Sequence, residues 1–326
     1  MSMQTNEVKQ DKWSIIKQYI GSEKIGLMIA LVVMVIIFSY LSPHYFTAKN
    51  LMNILVASSL VGLAAIGQSY LVIGGQIDLS PGAVAGFSGV LAAILLQNGF
   101  GTVPTLLIVV VAGILIGFIN SLIVNTLKIA PFIATLATMQ AIRGLAYIIC
   151  NGKPIYIQDK TYLSIGKDRI LGVPIPVIIL ILAFIVFIIL LSKSRFGRNL
   201  YIVGGNPVAA RLAGINAKRV ISKAFMITSG LSALGGAILA SRMNSGQPSS
   251  SMGLEMSAVT AVVLGGIAFT GGIGSLGGTV IGVLILQGFN NGLLIMNVPQ
   301  FWQYVASGLL LVAALSFDYL RSRKRV

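Results

Sequence analysis

The chain is built from long apolar runs separated by short polar interruptions. Such runs recur near residues 25–42, 51–74, 80–97, 103–126, 132–150, 173–192, 221–242, 255–271, 276–296 and 300–317. Each approaches the ~20 residues an α-helix needs to cross a bilayer. Most are apolar on every face, as expected of helices that meet lipid or one another rather than water. The pattern predicts an all-α polytopic membrane protein of about ten transmembrane helices. The first run, Ile25 to Leu41, is long for a signal peptide. The Ser42-Pro43-His44-Tyr45 that follows offers no small-residue cleavage site, so it reads as an uncleaved first span. A transmembrane domain over 25–317 is therefore expected between a tail at 1–24 and a basic tail at 318–326, with one long polar loop at 193–220.

Charge orients these spans. The chain carries 23 basic and 8 acidic residues, a net +15, although only 10% of it is charged and 56% is apolar. In a soluble protein that balance would point to nucleic acid. In a chain of spans it is a topology signal, because cytoplasmic loops collect Lys and Arg. Lys9, Lys12, Lys17 and Lys24 precede the first span; Arg321, Arg323, Lys324 and Arg325 follow the last. Lys193, Arg195, Arg198, Arg211, Lys218, Arg219 and Lys223 gather between the sixth and seventh. An even number of spans puts all three groups on one side, so both termini and the 193–220 loop are expected in the cytoplasm of a plasma (inner) membrane. Arg143 is left inside the fifth span.

A faint internal repeat is visible. "GGQIDLSPGAV" (74–84) and "SMGLEMSAV" (251–259) each open a span, as "AGILIGFINSLIVN" (112–125) and "GTVIGVLILQGFNN" (278–291) each lie within one. Corresponding segments stand five spans apart, so the halves are expected as two inverted repeats, a common transporter plan.

The candidate chemistry is sparse. Cys150 and His44 are the sole residues of their types, so neither an internal disulfide nor a His/Cys metal cluster is expected. No catalytic residues and no cofactor are assigned. A P-loop needs a Lys after its glycines, and the glycine-rich run 265–282 contains none. Within the polar loop, Asn206 caps, Pro207 suits the first helical position, Val208 to Ala213 favour helix and Gly214 supplies a left-handed stop. A helix over 207–213 is expected, too short to be stable alone, serving as a connector on the membrane surface or as a docking element. Asp78, with Ser80 and Pro81, and Glu255 near Ser257 are acids at span ends. Each is read as a helix cap, with a gate or contact role as the sharper alternative. Asn120, Asn125, Gln140, Gln287, Asn290 and Asn291 are amides inside spans, fit either to bond neighbouring helices or to line a sugar path. Gly274, Gly278 and Gly282 recur every four residues, one helix face for close packing.

Several separated segments carry a resemblance. "GGNPVAARLAGI" (204–215), "IDLSPGAV" (77–84), "PFIATLATMQAIRGL" (131–145) and "SGQPSSSMGLEMSAVTAVVLGGIAFTGGIGSLGGTVIGVLILQGFNNGL" (245–293) resemble, in order, bacterial sugar permeases of the ribose type. These belong to the branched-chain amino acid/sugar permease family of ABC importers. The likeness runs from about Leu41 to Asp318. Pro81, Ile267 and Ala268 depart from the family's usual residues and leave the sugar undecided. The resemblance implies a homodimeric pore, a separate cytoplasmic ABC ATPase and an extracytoplasmic sugar-binding protein. It implies that Gly205, Asn206, Pro207, Ala209, Ala210, Arg211, Leu212 and Gly214 form the coupling element to that ATPase. Read from their polarity and position within or at the ends of spans, Asp78, Ser80, Glu255, Asn120, Asn290 and Asn291 are the candidates for a translocation path or gate, beside their structural readings as caps or interhelical bonds. An ion-coupled secondary sugar transporter, with Asp78 or Glu255 as the coupling acid, is the alternative, and an intramembrane enzyme lacks a clear nucleophile and base.

Overall fold

The structure, a computed structural model, describes residues 22–323. Most of the basic N-terminal tail, with Lys9, Lys12 and Lys17, and the last residues, with Lys324 and Arg325, lie outside the described residues. The described residues are 76% helical with almost no sheet. In order the elements are α1 (Ser22–Leu41), α2 (Ala48–Ile73), α3 (Pro81–Gln97), α4 (Thr102–Thr126), α5 (Pro131–Ile149), β1 (Ile155–Tyr156), α6 (Lys160–Lys167), β2 (Arg169–Ile170), β3 (Val173–Pro174), α7 (Ile175–Lys193), α8 (Arg195–Gly205), α9 (Pro207–Leu212), α10 (Ala217–Met243), β4 (Ser245–Gly246), α11 (Leu254–Leu264), α12 (Leu276–Ile295) and α13 (Gln300–Arg323). Six of these, α2, α4, α5, α7, α10 and α12, are long and apolar enough to cross a membrane. Shorter apolar helices cover 25–41, 81–97, 254–264 and 301–313.

The eighth run breaks the expectation. It was to continue from 255 to 271, but the helix ends at Leu264. Gly265 and Gly266 follow, and Gly266, Gly271, Gly272 and Gly274 all take positive φ, which an α-helix cannot contain. Gly274 accordingly stands outside any helix, at φ +133, and packs on Ile267. Its expected partners behave differently. Gly278 and Gly282 lie on α12, where added Cβ atoms would strike the carbonyl oxygens of Gly265 and Ala261.

Helix α10 is the centre of the molecule, buried along most of its length between α2, α3 and α4. Small residues set the distances. A Cβ on Gly113 of α4 would lie 2.5 Å from the Ala233 methyl and 2.7 Å from the Ser229 carbonyl oxygen. Gly67 of α2 stands directly against Thr228, and Gly236 against Ala85 of α3. Without a hydrophobic drive between helices in lipid, such backbone approaches supply the packing.

The polar segment at one end, 193–217, forms two consecutive helices, and we call this the basic end. The opposite end is closed by 150–174 and β4. There β1 pairs antiparallel with β4, Ile155 opposite Gly246. Asp159 caps α6 through the Tyr162 N–H at 2.7 Å, and the Tyr162 hydroxyl donates to the Ala237 carbonyl at 2.8 Å.

Candidate functional site

Two stretches of non-helical backbone enter the bundle. The first, residues 74–80, leaves the basic end, where a Cβ on Gly74 would lie 3.0 Å from the Leu200 side chain of α8 and 2.9 Å from that of Ile221 on α10. It turns inward to start α3. The second, residues 245–253, leaves β4 at the far end and runs down α3 antiparallel to it. Gly246 abuts Gly89; Cβ atoms on Gly86 and Gly82 would lie 2.6 Å from the Pro248 and Ser251 carbonyl oxygens. Only glycines on α3 leave room for this strand of backbone. Both stretches therefore end beside the first turn of α3, and the two acids meet it there.

Asp78 is fully buried, and its Oδ1 accepts the Ser80 N–H and the Ser80 hydroxyl, both at 2.7 Å. Asn120 of α4 donates to the Ser80 hydroxyl at 3.0 Å, which links it to the acid. The Leu79 N–H donates to the Thr135 hydroxyl of α5 at 3.0 Å. Asp78 thus braces the loop three residues ahead of α3. Ser80 occupies the capping position but makes no side-chain cap bond.

Glu255 is not a cap. It sits in the first turn of α11, behind Gly253, and its carboxylate reaches away from its own helix to lie over Gly82 of α3. Arg143 of α5 approaches its other oxygen at 4.0 Å. The sequence marked both residues as exceptions within apolar runs, but their pairing depends on the inward stretch 245–253 and could not be read from spacing. Five buried polar atoms around this turn have no hydrogen-bond partner among the described residues: Asp78 Oδ2, Asn120 Oδ1, Arg143 Nε, Ser251 Oγ and Glu255 Oε2. Each such group costs on the order of 1–3 kcal/mol when left dry. The cluster is fit for water, for the hydroxyls of a polyol, or for rearrangement. No group of three or more His, Cys, Asp or Glu gathers among the described residues.

The intramembrane amides divide. Asn291 is tied to Asn50 of α2 by reciprocal bonds of 2.8 and 3.0 Å, an interhelical clamp remote from the acids. Asn125 likewise donates to Ser222 at 3.1 Å. Asn290 instead lines a groove of ≈ 430 Å³ between α11, α12 and α13, with Met256, Thr260 and Gln303, and accepts the Ser307 hydroxyl at 3.1 Å. Gln68 of α2, fully buried with both amide atoms unpartnered, carried no sequence signal beyond its polarity.

At the basic end, α9 has the caps its sequence specifies. Asn206 accepts the N–H groups of Val208 and Ala209, both at 3.0 Å. Gly214 takes φ +73, and the Ile215 N–H closes back on the Ala210 carbonyl at 2.9 Å. Ala210 is buried, whereas Val208 is 64% and Leu212 84% exposed. The preceding α8 was not foreseen; its signal is Ser194, which accepts the Gly197 N–H at 3.0 Å. Helix α8 ends on the bundle. Gly204 sits directly on the Ile73 carbonyl, which also accepts the Gly272 N–H at 2.8 Å, and the Tyr201 hydroxyl donates to the Gly274 carbonyl at 2.8 Å.

Comparison with known proteins bears on this arrangement. The chain is 39% identical over 302 residues to the ribose import permease protein of Bacillus subtilis, covering 92% of this chain and 94% of that one. It is 38% identical over 308 residues to the L-arabinose transport system permease protein of Escherichia coli, covering 93% of each. No solved structure matches. Residues 50–315, which include both inward stretches and the α8–α9 pair, match the family described as branched-chain amino acid transport system / permease component. The chain belongs to that permease family and is a multi-pass membrane protein.

Proposed function

We propose that the chain is the membrane-spanning permease subunit of an ATP-driven importer for a ribose-like monosaccharide. Homodimeric in this reading, it works with a cytoplasmic ABC ATPase and an extracytoplasmic sugar-binding protein. The observation that carries the reading is α9. A capped two-turn helix outside the apolar bundle holds Val208 and Leu212 out in solvent, 64% and 84% exposed. Apolar side chains displayed by a braced element mark a surface that a partner covers. The positive-inside bias supports a cytoplasmic α8–α9 pair and cytoplasmic termini. The names of the two relatives, both for pentoses, support the substrate class. Support for a second subunit comes from α5, whose outer face exposes Gln140 among Ala137, Ala141 and Gly144, small and polar residues of the kind that join membrane helices.

We read all ten apolar helices as membrane-embedded and the two halves as inverted repeats. Each half has a helix, α3 or α11, begun by non-helical backbone that enters from opposite ends of the bundle. Substrate passage is assigned to the region these helices border: Asp78, Ser80, Asn120 and Glu255 at the start of α3, and Asn290 in the neighbouring groove. Helix α9 transmits the closure of the ATPase domains, and no covalent chemistry occurs in this chain. The test is uptake of labelled ribose and L-arabinose into vesicles holding the permease, its ATPase and its binding protein. Uptake should require ATP inside the vesicle and the binding protein outside it. Accumulation by the permease alone, driven by a sodium or proton gradient, would establish the ion-coupled alternative instead.

A further inference from the structure

An apolar groove of ≈ 470 Å³ opens on the outer surface between α4, α7 and α10. It exists because α10 packs on α4 through glycines, while α7 leans on α2 and leaves α10 uncovered. Every side chain that lines it is apolar except Lys223, which stands toward the basic end with its ammonium 5.9 Å from the centre of the Phe196 ring. The groove's far end is marked on α10 by Leu234. Eleven residues separate Lys223 from Leu234, which at ~1.5 Å per residue is about 16 Å of helix. That is about half of the ~30 Å hydrocarbon core, the depth of one leaflet.

We propose that this groove holds one acyl chain of an anionic phospholipid, with the lipid phosphate on Lys223. Length, polarity and charge agree. An apolar trough one leaflet deep ends in a single cation at headgroup level, the one charged side chain among those that line it. Cationic side chains at that level select anionic lipids. A partner helix fits the walls poorly. Helix contacts in membranes favour small residues that bring backbones together, whereas Ile114, Phe187 and Phe196 leave a channel between bulky side chains. The inference needs only that the chain spans a membrane with 193–223 near one face, and it stands or falls apart from the transport reading.

The purified full-length chain is offered phosphatidylglycerol and phosphatidylcholine of equal chain length, and bound lipid is counted by native mass spectrometry. One lysine near the surface is worth ~1 kcal/mol, so phosphatidylglycerol should be retained about fivefold more strongly. Lys223→Gln, a change at an exposed side chain, should abolish the preference while both lipids still bind. Val110→Phe, which fills the trough, should lose both. A parent protein without preference, or a Lys223→Gln protein that keeps it, overturns the proposal whatever Val110→Phe does. A disulfide-linked dimer formed by Ile114→Cys in oxidised membranes would place a second copy of the chain in the groove and overturn it as well.

Discussion

Replacing Asn206 by alanine probes the coupling assignment at one atom. The Asn206 Oδ1 accepts two N–H groups, those of Val208 and Ala209, each at 3.0 Å. Those groups belong to a helix of six residues, Pro207–Leu212, too short to persist without its caps and its seat on the bundle. Loss of a side-chain cap costs about 1 kcal/mol, so the population of the opened helix should rise about fivefold. Amide exchange of residues 208–213 should quicken by that factor, while exchange in α10 stays as it was. If α9 carries force from the ATPase, sugar-stimulated ATP hydrolysis by the assembled complex should fall in proportion. Asn206→Asp keeps the acceptor and should restore both. Faster exchange with undiminished stimulated hydrolysis would refute the coupling role, and unchanged exchange would refute the capping argument beneath it.

Three further substitutions test the packing around the site. Gly282→Leu should lower the melting temperature of the detergent-solubilised protein by several degrees, because its Cβ falls on the Ala261 carbonyl and overpacking costs ~1–3 kcal/mol; Gly26→Ala, with nothing within 4 Å, should leave it unchanged. Arg143→Met should destabilise by ~1–3 kcal/mol by stranding the Glu255 carboxylate, and adding Glu255→Gln should recover most of the loss in a thermal-shift double-mutant cycle. Asn291→Leu should cost ~1 kcal/mol by removing the donor to Asn50 Oδ1, while the Asn50→Leu, Asn291→Leu pair should melt no higher than that single variant, because the Tyr45 carbonyl then loses the Asn50 Nδ2 that donates to it at 2.8 Å.

What the sequence made legible was set by local rules, and what it hid depended on contacts far along the chain. The apolar runs announced the helices because lipid imposes one composition wherever it is met. Asn206, Pro207 and Gly214 announced α9 because caps act within four residues. The same logic misjudged 255–271, where apolarity continued but consecutive glycines at positive φ ended the helix at Leu264. Glu255 was read as a cap for the same local reason, whereas its carboxylate lies over Gly82, 173 positions earlier in the chain. Asn290 and Asn291 carry the same two readings in sequence, interhelical bond or path, because spacing cannot say where each points; adjacent positions on a helix point about 100° apart, and one turns toward Asn50 while the other turns toward the groove.

Gly204 is where the docking pair touches the interior, and it yields the sharpest discrimination. Its Cα rests on the Ile73 carbonyl, and an added Cβ would also come within 2.9 Å of the Gly272 backbone nitrogen. Ile73 ends the helix that leads into the Asp78 loop; Gly272 belongs to the turn that follows α11. A movement of α8 in this reading therefore reaches the end of α2 and the turn after α11 through a single contact. Gly204→Ala must separate these backbones at a cost of ~1–3 kcal/mol. Gly205, its neighbour, meets only the Gly272 Cα at 3.8 Å, so Gly205→Ala adds a methyl in ordinary contact and gains helix propensity. The two proteins should assemble with the ATPase alike, yet sugar uptake per ATP hydrolysed should fall about tenfold or more in Gly204→Ala alone. Equal uptake by the pair would mean that the force takes another route into the bundle, past Ile73 and not through it.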